Sequence, residues 1–235
     1  MTRENHLGQP IGDPVPDWTG AKWPERQTLT GRYCSVAPLS AKLHAKALYE
    51  AYAQDKTQAT WTYMYVGPFE TFDAFEALIA TYEAAKDPHY YAILDVSGAP
   101  IGFASLMRIN PDAGSIEVGG IAYSPALQQT PAATEAMSLL MSYAFETLGY
   151  RRYEWKCDAL NAPSRRAAER LGFQYEGIFR QALVYKGRNR DTAWFAITDQ
   201  DWPAIKAAHA KWLAPENFDV DGRQRQSLGA FLSSC

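Results

Sequence analysis

The chain has 235 residues, 47% of them hydrophobic and 21% charged, the range of an ordinary globular protein with enough chain for a sizeable core. Lys and Arg number 23 against 26 Asp and Glu, a net charge of −3, so no global basic field draws the chain to nucleic acid or to a membrane. Three cysteines (Cys34, Cys157, Cys235) and four scattered histidines have neither disulfide nor metal spacing, which predicts reduced thiols, no structural metal and a cytoplasmic home. No stretch reaches the roughly 18 apolar residues of a membrane span, and the first residues lack the apolar core of a signal peptide.

Residues 1–30 carry Pro10, Pro14, Pro16 and Pro24 together with Trp18 and Trp23. Prolines fix the backbone and remove ladder donors, and tryptophans left in water are costly. An extended arm packed on the domain is therefore predicted, followed by a single domain over 31–213. GRYCSVAPLS (31–40) alternates as a strand and closes on a proline. Residues 40–53 repeat apolar groups at helical spacing, with Ser40 as N-cap. TWTYMYVGPF (60–69) is dense in aromatics and ends in Gly-Pro, which predicts a loop. Residues 70–86 place Phe72, Phe75, Leu78, Ile79 and Tyr82 on one helical stripe. Strands over 89–96 and 100–110 are joined by a hairpin turn, and 114–124 is a third strand. Helix 131–148 opens with Pro131, where no N–H is needed, and stops at Gly149. A strand over 152–160, a short helix over 161–171, strands over 173–187 and 190–198 and a helix over 201–213 follow. Residues 214–235 read as a polar C-terminal tail.

Antiparallel hairpins followed by a β–α–β crossover between 114 and 157 place those two strands parallel and adjacent. The expected class is α/β: a central mixed, mostly antiparallel sheet flanked by helices, with a ligand crevice at the carboxyl ends of the parallel pair.

Four stretches carry candidate chemistry. In SPALQQTPAATEA (124–136) a turn meets a helix start, where unpaired N–H groups and the positive dipole end suit phosphate. Gln128, Gln129, Thr130, Ala132, Ala133 and Thr134 stand there, and ordinary capping by Thr130 is the plainer reading. Gly119-Gly120 inside a strand signals a bulge that splays the strand from its parallel partner, freeing backbone at Ile121, Ala122 and Tyr123 for an amide-bearing ligand. Glu117, two residues earlier, is an acid in a strand interior; a partly buried carboxylate there has a raised pKa and can accept a proton. Asn161 is a good N-cap, with Ser164 in the first turn after it. Residues 151–190 hold ten Lys or Arg against four acids, which is either a solvated surface or a site for a small polyanion.

The order of these signals, and above all NAPSRRAAERLGFQYEG (161–177), resembles the GCN5-related N-acetyltransferases (GNAT). The likeness spans about residues 30–200 and is greatest to the RimJ/RimL-like branch that modifies ribosomal-protein N-termini and small amines. The resemblance implies the acyl-CoA N-acyltransferase fold with a splayed pair of parallel strands, acetyl-CoA as co-substrate without a metal, a protein N-terminus or small amine as acceptor, and a possible homodimer. It implies that strand 117–123 takes the pantetheine, 129–134 the pyrophosphate, and Arg165, with Arg166, the outer phosphate. It implies Glu117 as base through a water, Ser164 as hydrogen-bond donor to the leaving thiolate, and Asn161 on a cofactor amide. Trp61, Tyr63, Tyr65 and Tyr185 are expected to line the acceptor pocket. The family pattern Arg/Gln-x-x-Gly-x-Gly/Ala is broken here: QQTPAA keeps Gln128 and Ala133 but has lost the middle glycine. The alternatives are a non-catalytic CoA-binding module and a transferase for another acyl donor. A covalent route through Cys157 and a nucleic-acid role for the basic segment have little to support them.

Overall fold

The structure, a computed structural model, describes residues 3–233; Cys235 lies outside them. A short hairpin of β1 (Arg3–Glu4) and β2 (Pro10–Ile11) precedes the domain. Then come β3 (Leu29–Thr30), β4 (Ser35–Pro38), α1 (Ala41–Tyr52), α2 (Phe72–Ala84), β5 (His89–Leu94), β6 (Pro100–Asn110), β7 (Ser115–Tyr123), α3 (Pro131–Ser142), β8 (Arg152–Asp158), α4 (Ala162–Arg170), β9 (Gln174–Tyr185), β10 (Arg188–Thr198), α5 (Trp202–Leu213) and α6 (Leu228–Leu232). The eight-stranded sheet has the order β3-β4-β5-β6-β7-β8-β10-β9. Its neighbours are antiparallel except β7 and β8, as the crossover demands. Among the described residues no helix is long and apolar enough to cross a membrane.

Alternation along the strands splits the apolar residues between two faces. Ala104 and Leu106 of β6, Ile116 and Val118 of β7, and Tyr153, Trp155 and Cys157 of β8 form one core with α3 and α5. Phe103 points the other way and packs with Leu48, Tyr52, Phe75 and Ile79 of α1 and α2. α3 starts as the sequence predicts: Pro131 is its first residue, and Thr130 Oγ1 accepts the Ala133 N–H at 3.3 Å. Its last turn widens over Tyr143–Thr147 and stops at Gly149, φ +79°.

Three local expectations change. Ser40 occupies the N-cap of α1 but caps nothing with its hydroxyl; its N–H instead donates to His44 Nδ1 at 3.1 Å. The strand expected over 31–40 is interrupted, because residues 32–34 turn their N–H groups toward α3. The C-terminal stretch, read as a polar tail, packs back on α5. Phe218 lies edge-on to Trp212 at 5.2 Å, Trp212 Nε1 donates to Gln224, and Leu228 is fully buried. At the other end, Trp18 Nε1 donates to the Asp112 carbonyl (2.8 Å) and Lys22 N–H to that of Leu148 (2.8 Å), so the proline-rich arm lies along the β6–β7 turn and the end of α3. Trp23 stays half exposed.

One buried carboxylate ties α3 to the start of the sheet. Glu135 is 7% exposed and accepts the N–H groups of Arg32 (2.8 Å), Tyr33 (2.6 Å) and Cys34 (2.9 Å). Gly31 is forced by this approach: a Cβ there would sit 2.3 Å from the carboxyl group. Glu135→Ala leaves three backbone donors without their acceptor, one of them buried and two part-buried, so it is expected to lower the unfolding free energy by about 3 kcal/mol. Urea denaturation measures this, and a change below about 1 kcal/mol would contradict the anchoring role.

Candidate active site

Strands β7 and β8 pair only from Ser115↔Arg152 to Val118↔Trp155. Beyond that point β7 carries an extra residue: Phe103 pairs with Ala122 and Ser105 with Gly119, so two steps of β6 face three of β7. Gly120, at φ +56°, supplies this bulge, and a Cβ there would lie 2.8 Å from the Tyr90 hydroxyl. Bulges bend a strand away from its partner, and a slot opens between the carboxyl ends of β7 and β8. Its β7 wall is partly committed. The carbonyl of Gly119 accepts from Ser105 Oγ, that of Ala122 from Tyr52, and that of Tyr123 from Gln128 Nε2. Ala122 is moreover buried in the second core, so Gly120 and Ile121 are the open part of the strand expected to meet a ligand.

Glu117 sits at the base of this slot on the sheet face opposite α3, 3% exposed. It is not the solitary buried carboxylate that the sequence suggests. Arg108 Nη1 (2.7 Å) and Lys156 Nζ (2.8 Å) both meet Oε2, while Oε1 faces Gly119, whose Cβ would lie 3.3 Å from it. Lys156, 7% exposed, also binds Glu154 (2.6 Å) and stands 3.8 Å from the centre of the Trp194 ring. Arg152 joins Glu154 (2.6 Å) to Glu176 (2.5 Å). Burial alone would raise the Glu154 carboxyl, but the bonds from Lys156 and Arg152 hold it below its ordinary value. Charges of alternating sign thus run Arg108, Glu117, Lys156, Glu154, Arg152, Glu176 across this face.

The loop before α3 has spent most of its donors on itself. The Leu127 and Gln128 N–H groups both bond the Ser124 carbonyl, Thr130 N–H bonds that of Leu127, and Ala133 N–H bonds the cap hydroxyl. Thr134 is buried and turned away, accepting from Arg170 Nη1 at 2.9 Å. Among the described residues the N–H groups of Gln129 and Ala132 have no protein partner; Gln129 is held at φ +61°, and Pro131 stands where the family pattern has its middle glycine. So the structure brings these residues to one helix end, but Gln128, Thr130, Ala133 and Thr134 offer an anion little.

α4 begins beside the slot. Asn161 Oδ1 caps it, accepting the Ser164 N–H at 3.1 Å, which leaves Nδ2 for a ligand. Ser164 Oγ accepts from Trp155 Nε1 at 3.0 Å, so its own proton can be donated. Arg165 is half-buried, donates to the Ala159 carbonyl (3.3 Å) and covers the Tyr175 ring; Arg166 is exposed. Cys157 is a poor nucleophile here: it is 5% exposed, and burial pushes its thiol up.

Of the four aromatics expected around an acceptor, Tyr65 and Tyr185 are in contact and Tyr63 is tied to the end of β8. Tyr63 OH donates to the Leu160 carbonyl (3.2 Å), bringing the 60–69 loop over the end of β8. The half-exposed Tyr65 ring is edge-on to Tyr185 at 5.6 Å, and Tyr185 OH donates to Asp158 at 2.8 Å. Burial, helped by that bond, pushes the Tyr185 phenol up to about 12. Trp61 does not belong with them. It is 5% exposed and packs on Tyr52, Phe69 and Phe75, because a large ring finds more contact in the core under α1 and α2.

Arg108, Lys156 and Asp158 escaped the sequence reading. The alternation Tyr-Glu-Trp-Lys-Cys-Asp over 153–158 was the available signal, since it gives an interior strand one charged face. Lys156→Met keeps the side-chain stem but leaves two buried carboxylates without their shared cation. Its expected cost is about 3 kcal/mol. Lys46→Ala, which breaks an exposed pair (3.4 Å) on α1, is expected to change stability by less than about 0.5 kcal/mol. Equal effects in denaturant titrations would contradict the assignment.

Comparison with known proteins bears on the family and the fold. The family described as "Acetyltransferase (GNAT) domain" matches residues 36–174. A crystal structure of a GCN5-related N-acetyltransferase from Brucella melitensis is 46% identical, covering 93% of this chain and 100% of that one, with a TM-score of 0.91. A probable acetyltransferase of the GNAT family from Chromobacterium violaceum ATCC 12472 is 41% identical over 83% of this chain and 98% of that one, TM-score 0.78. The Bacillus subtilis (strain 168) protein "Putative ribosomal N-acetyltransferase YdaF" is 33% identical over 73 residues, 31% of this chain. Alignments with such curated relatives span only about two fifths of the relatives' length. The chain belongs to the GNAT family of acetyltransferases.

Proposed function

We propose that the protein transfers the acetyl group of acetyl-CoA directly to a primary amine, a protein N-terminus or a small molecule, without a metal. The observation that carries this is the slot at Gly120, with a carboxylate at its base and a donor hydroxyl at its α4 side. The co-substrate supplies an activated acetyl thioester. Gly120–Ile121 and Asn161 Nδ2 would hold its amide-bearing arm, the Gln129 and Ala132 amides its pyrophosphate, and Arg165 its outer phosphate.

Amines with pKa values near ~8 or ~10.4 are largely protonated at neutral pH, so a base assists attack. Glu117 takes that proton on Oε1, through a water, since Oε2 is held by Arg108 and Lys156. Backbone N–H groups at the bulge polarise the carbonyl under attack. Ser164, with its acceptor side occupied by Trp155, donates to the departing sulfur. Tyr63, Tyr65 and Tyr185 flank the acceptor's path. The two buried free thiols, Cys34 and Cys157, fit a reducing compartment such as the cytoplasm.

The self-bonded loop favours one second reading, a module that binds CoA without turnover. Calorimetry with acetyl-CoA, paired with an assay of thiol release across a panel of amines, separates them. The expected outcome is binding that weakens in Asn161→Ala, and amine-dependent thiol release that falls about 100-fold in Glu117→Gln while binding persists. Binding with no thiol release from any amine would favour the non-catalytic module. Absence of binding at millimolar acetyl-CoA would overturn both.

A further inference from the structure

The β9–β10 hairpin closes the site with three cations, Lys186, Arg188 and Arg190. Two of them latch it to the aromatic loop: Lys186 Nζ donates to the Trp61 carbonyl and Arg188 Nη2 to that of Thr62, both at 2.8 Å. Arg190 is different. It is 7% exposed, yet among the described residues no carboxylate lies within 4 Å of it. Its Nε donates to Thr192 Oγ1 (3.2 Å) and its Nη1 to the Tyr65 hydroxyl (3.0 Å). Nη2 has no protein partner among the described residues. The guanidinium lies 5.4 Å from the Tyr65 ring centre and 5.9 Å from that of Tyr185. The neighbouring acid, Asp158, is already engaged, taking the Tyr185 hydroxyl on Oδ2 and the Leu160 N–H on Oδ1.

A buried cation without a carboxylate in contact is costly, and two neutral hydrogen bonds, two ring faces and the charge of Asp158 beyond 4 Å compensate it only in part. A ligand anion would complete it, in the manner of a guanidinium–carboxylate fork. We infer that the acetyl acceptor carries a carboxylate that binds Arg190 Nη2, beside the Tyr65 hydroxyl. This rests on the acetyl-transfer reading above and names the class of acceptor for that site. The span follows from the sheet. Glu117 pairs with Glu154 and Thr192 with Asp158, two strand periods or about 13 Å apart along β8, of which the two hydrogen bonds of the bridging water take up about 6 Å. The acceptor therefore holds its amine and its carboxylate several bonds apart, on the order of 7 Å, and not on one carbon.

The probes are 6-aminohexanoate and its neutral primary amide, compared by thiol release with acetyl-CoA. Wild type is expected to favour the acid by at least about tenfold in kcat/KM. That preference should vanish in Arg190→Gln and survive in part in Arg190→Lys. Equal rates in wild type, or a preference undiminished in Arg190→Gln, would overturn the inference. Calorimetry of hexanoate against hexanamide, on the wild-type protein saturated with CoA, reads the same site without chemistry or substitution. Binding of hexanoate but not hexanamide supports the carboxylate site even if no amine is acetylated, in which case the transfer reading fails and the site stands as a carboxylate site without an acetyl acceptor. No hexanoate binding at 50-fold the concentration giving half-maximal amine turnover, or at about 50 mM if there is no turnover, would refute it.

Discussion

Strands β7 and β8 run side by side through Val118↔Trp155 and then part, because β7 accommodates an extra residue at Gly120 that β6 does not match. Only a glycine tolerates that position, with φ at +56° and the Tyr90 hydroxyl 2.8 Å from any Cβ. The remaining site geometry follows from this parting. Glu117 lies just below it, α4 begins just beside it, and the carbonyls on either side of the bulge are tied down by Ser105, Tyr52 and Gln128. The slot is thus rigid at its edges and open only over Gly120–Ile121, which suits a ligand recognised through its amides.

The two faces of the sheet do different work. The α3 face is apolar and is held to the sheet's edge by the three backbone bonds of Glu135. The opposite face carries a line of alternating charge from Arg108 to Glu176, in which each inner member has a partner on both sides. Opposite charges that share neighbours offset one another's desolvation better than an isolated pair does. The line orients Glu117, leaving Oε1 as the oxygen on the Gly119 side. Outside this line, toward the carboxyl end of β8, the balance is broken: Arg190 has two neutral acceptors and, among the described residues, no acid within 4 Å.

Much of this architecture was legible in the sequence. The hairpins, the crossover and the paired glycines follow from local rules of period, turn chemistry and steric freedom, and so do the caps at Thr130 and Asn161. What escaped depends on tertiary neighbours. Trp61 has the same aromatic company in sequence as Tyr63 and Tyr65, but its place under α1 makes it core. The 124–134 loop has helix-start chemistry, yet the Leu127, Gln128 and Thr130 N–H groups are occupied by Ser124 and Leu127, which periodicity cannot reveal. The residues after 213 look polar one by one. Phe218, Leu228, Phe231 and Leu232 nevertheless pack against the core, and apolar residues scattered without a period through a polar stretch are too weak a signal to read. Glu117 was found by its odd position in a strand, whereas its partners Arg108 and Lys156 needed the strand register.

A crystal structure of the protein with acetyl-CoA tests the central claim most directly. The account predicts the amide-bearing arm in the slot, bonded to the Gly120–Ile121 backbone, with the Val118–Trp155 pairing unchanged and the pyrophosphate on the Gln129 and Ala132 amides. Acetyl-CoA bound elsewhere, or β7 and β8 zipped together past Val118, would contradict it.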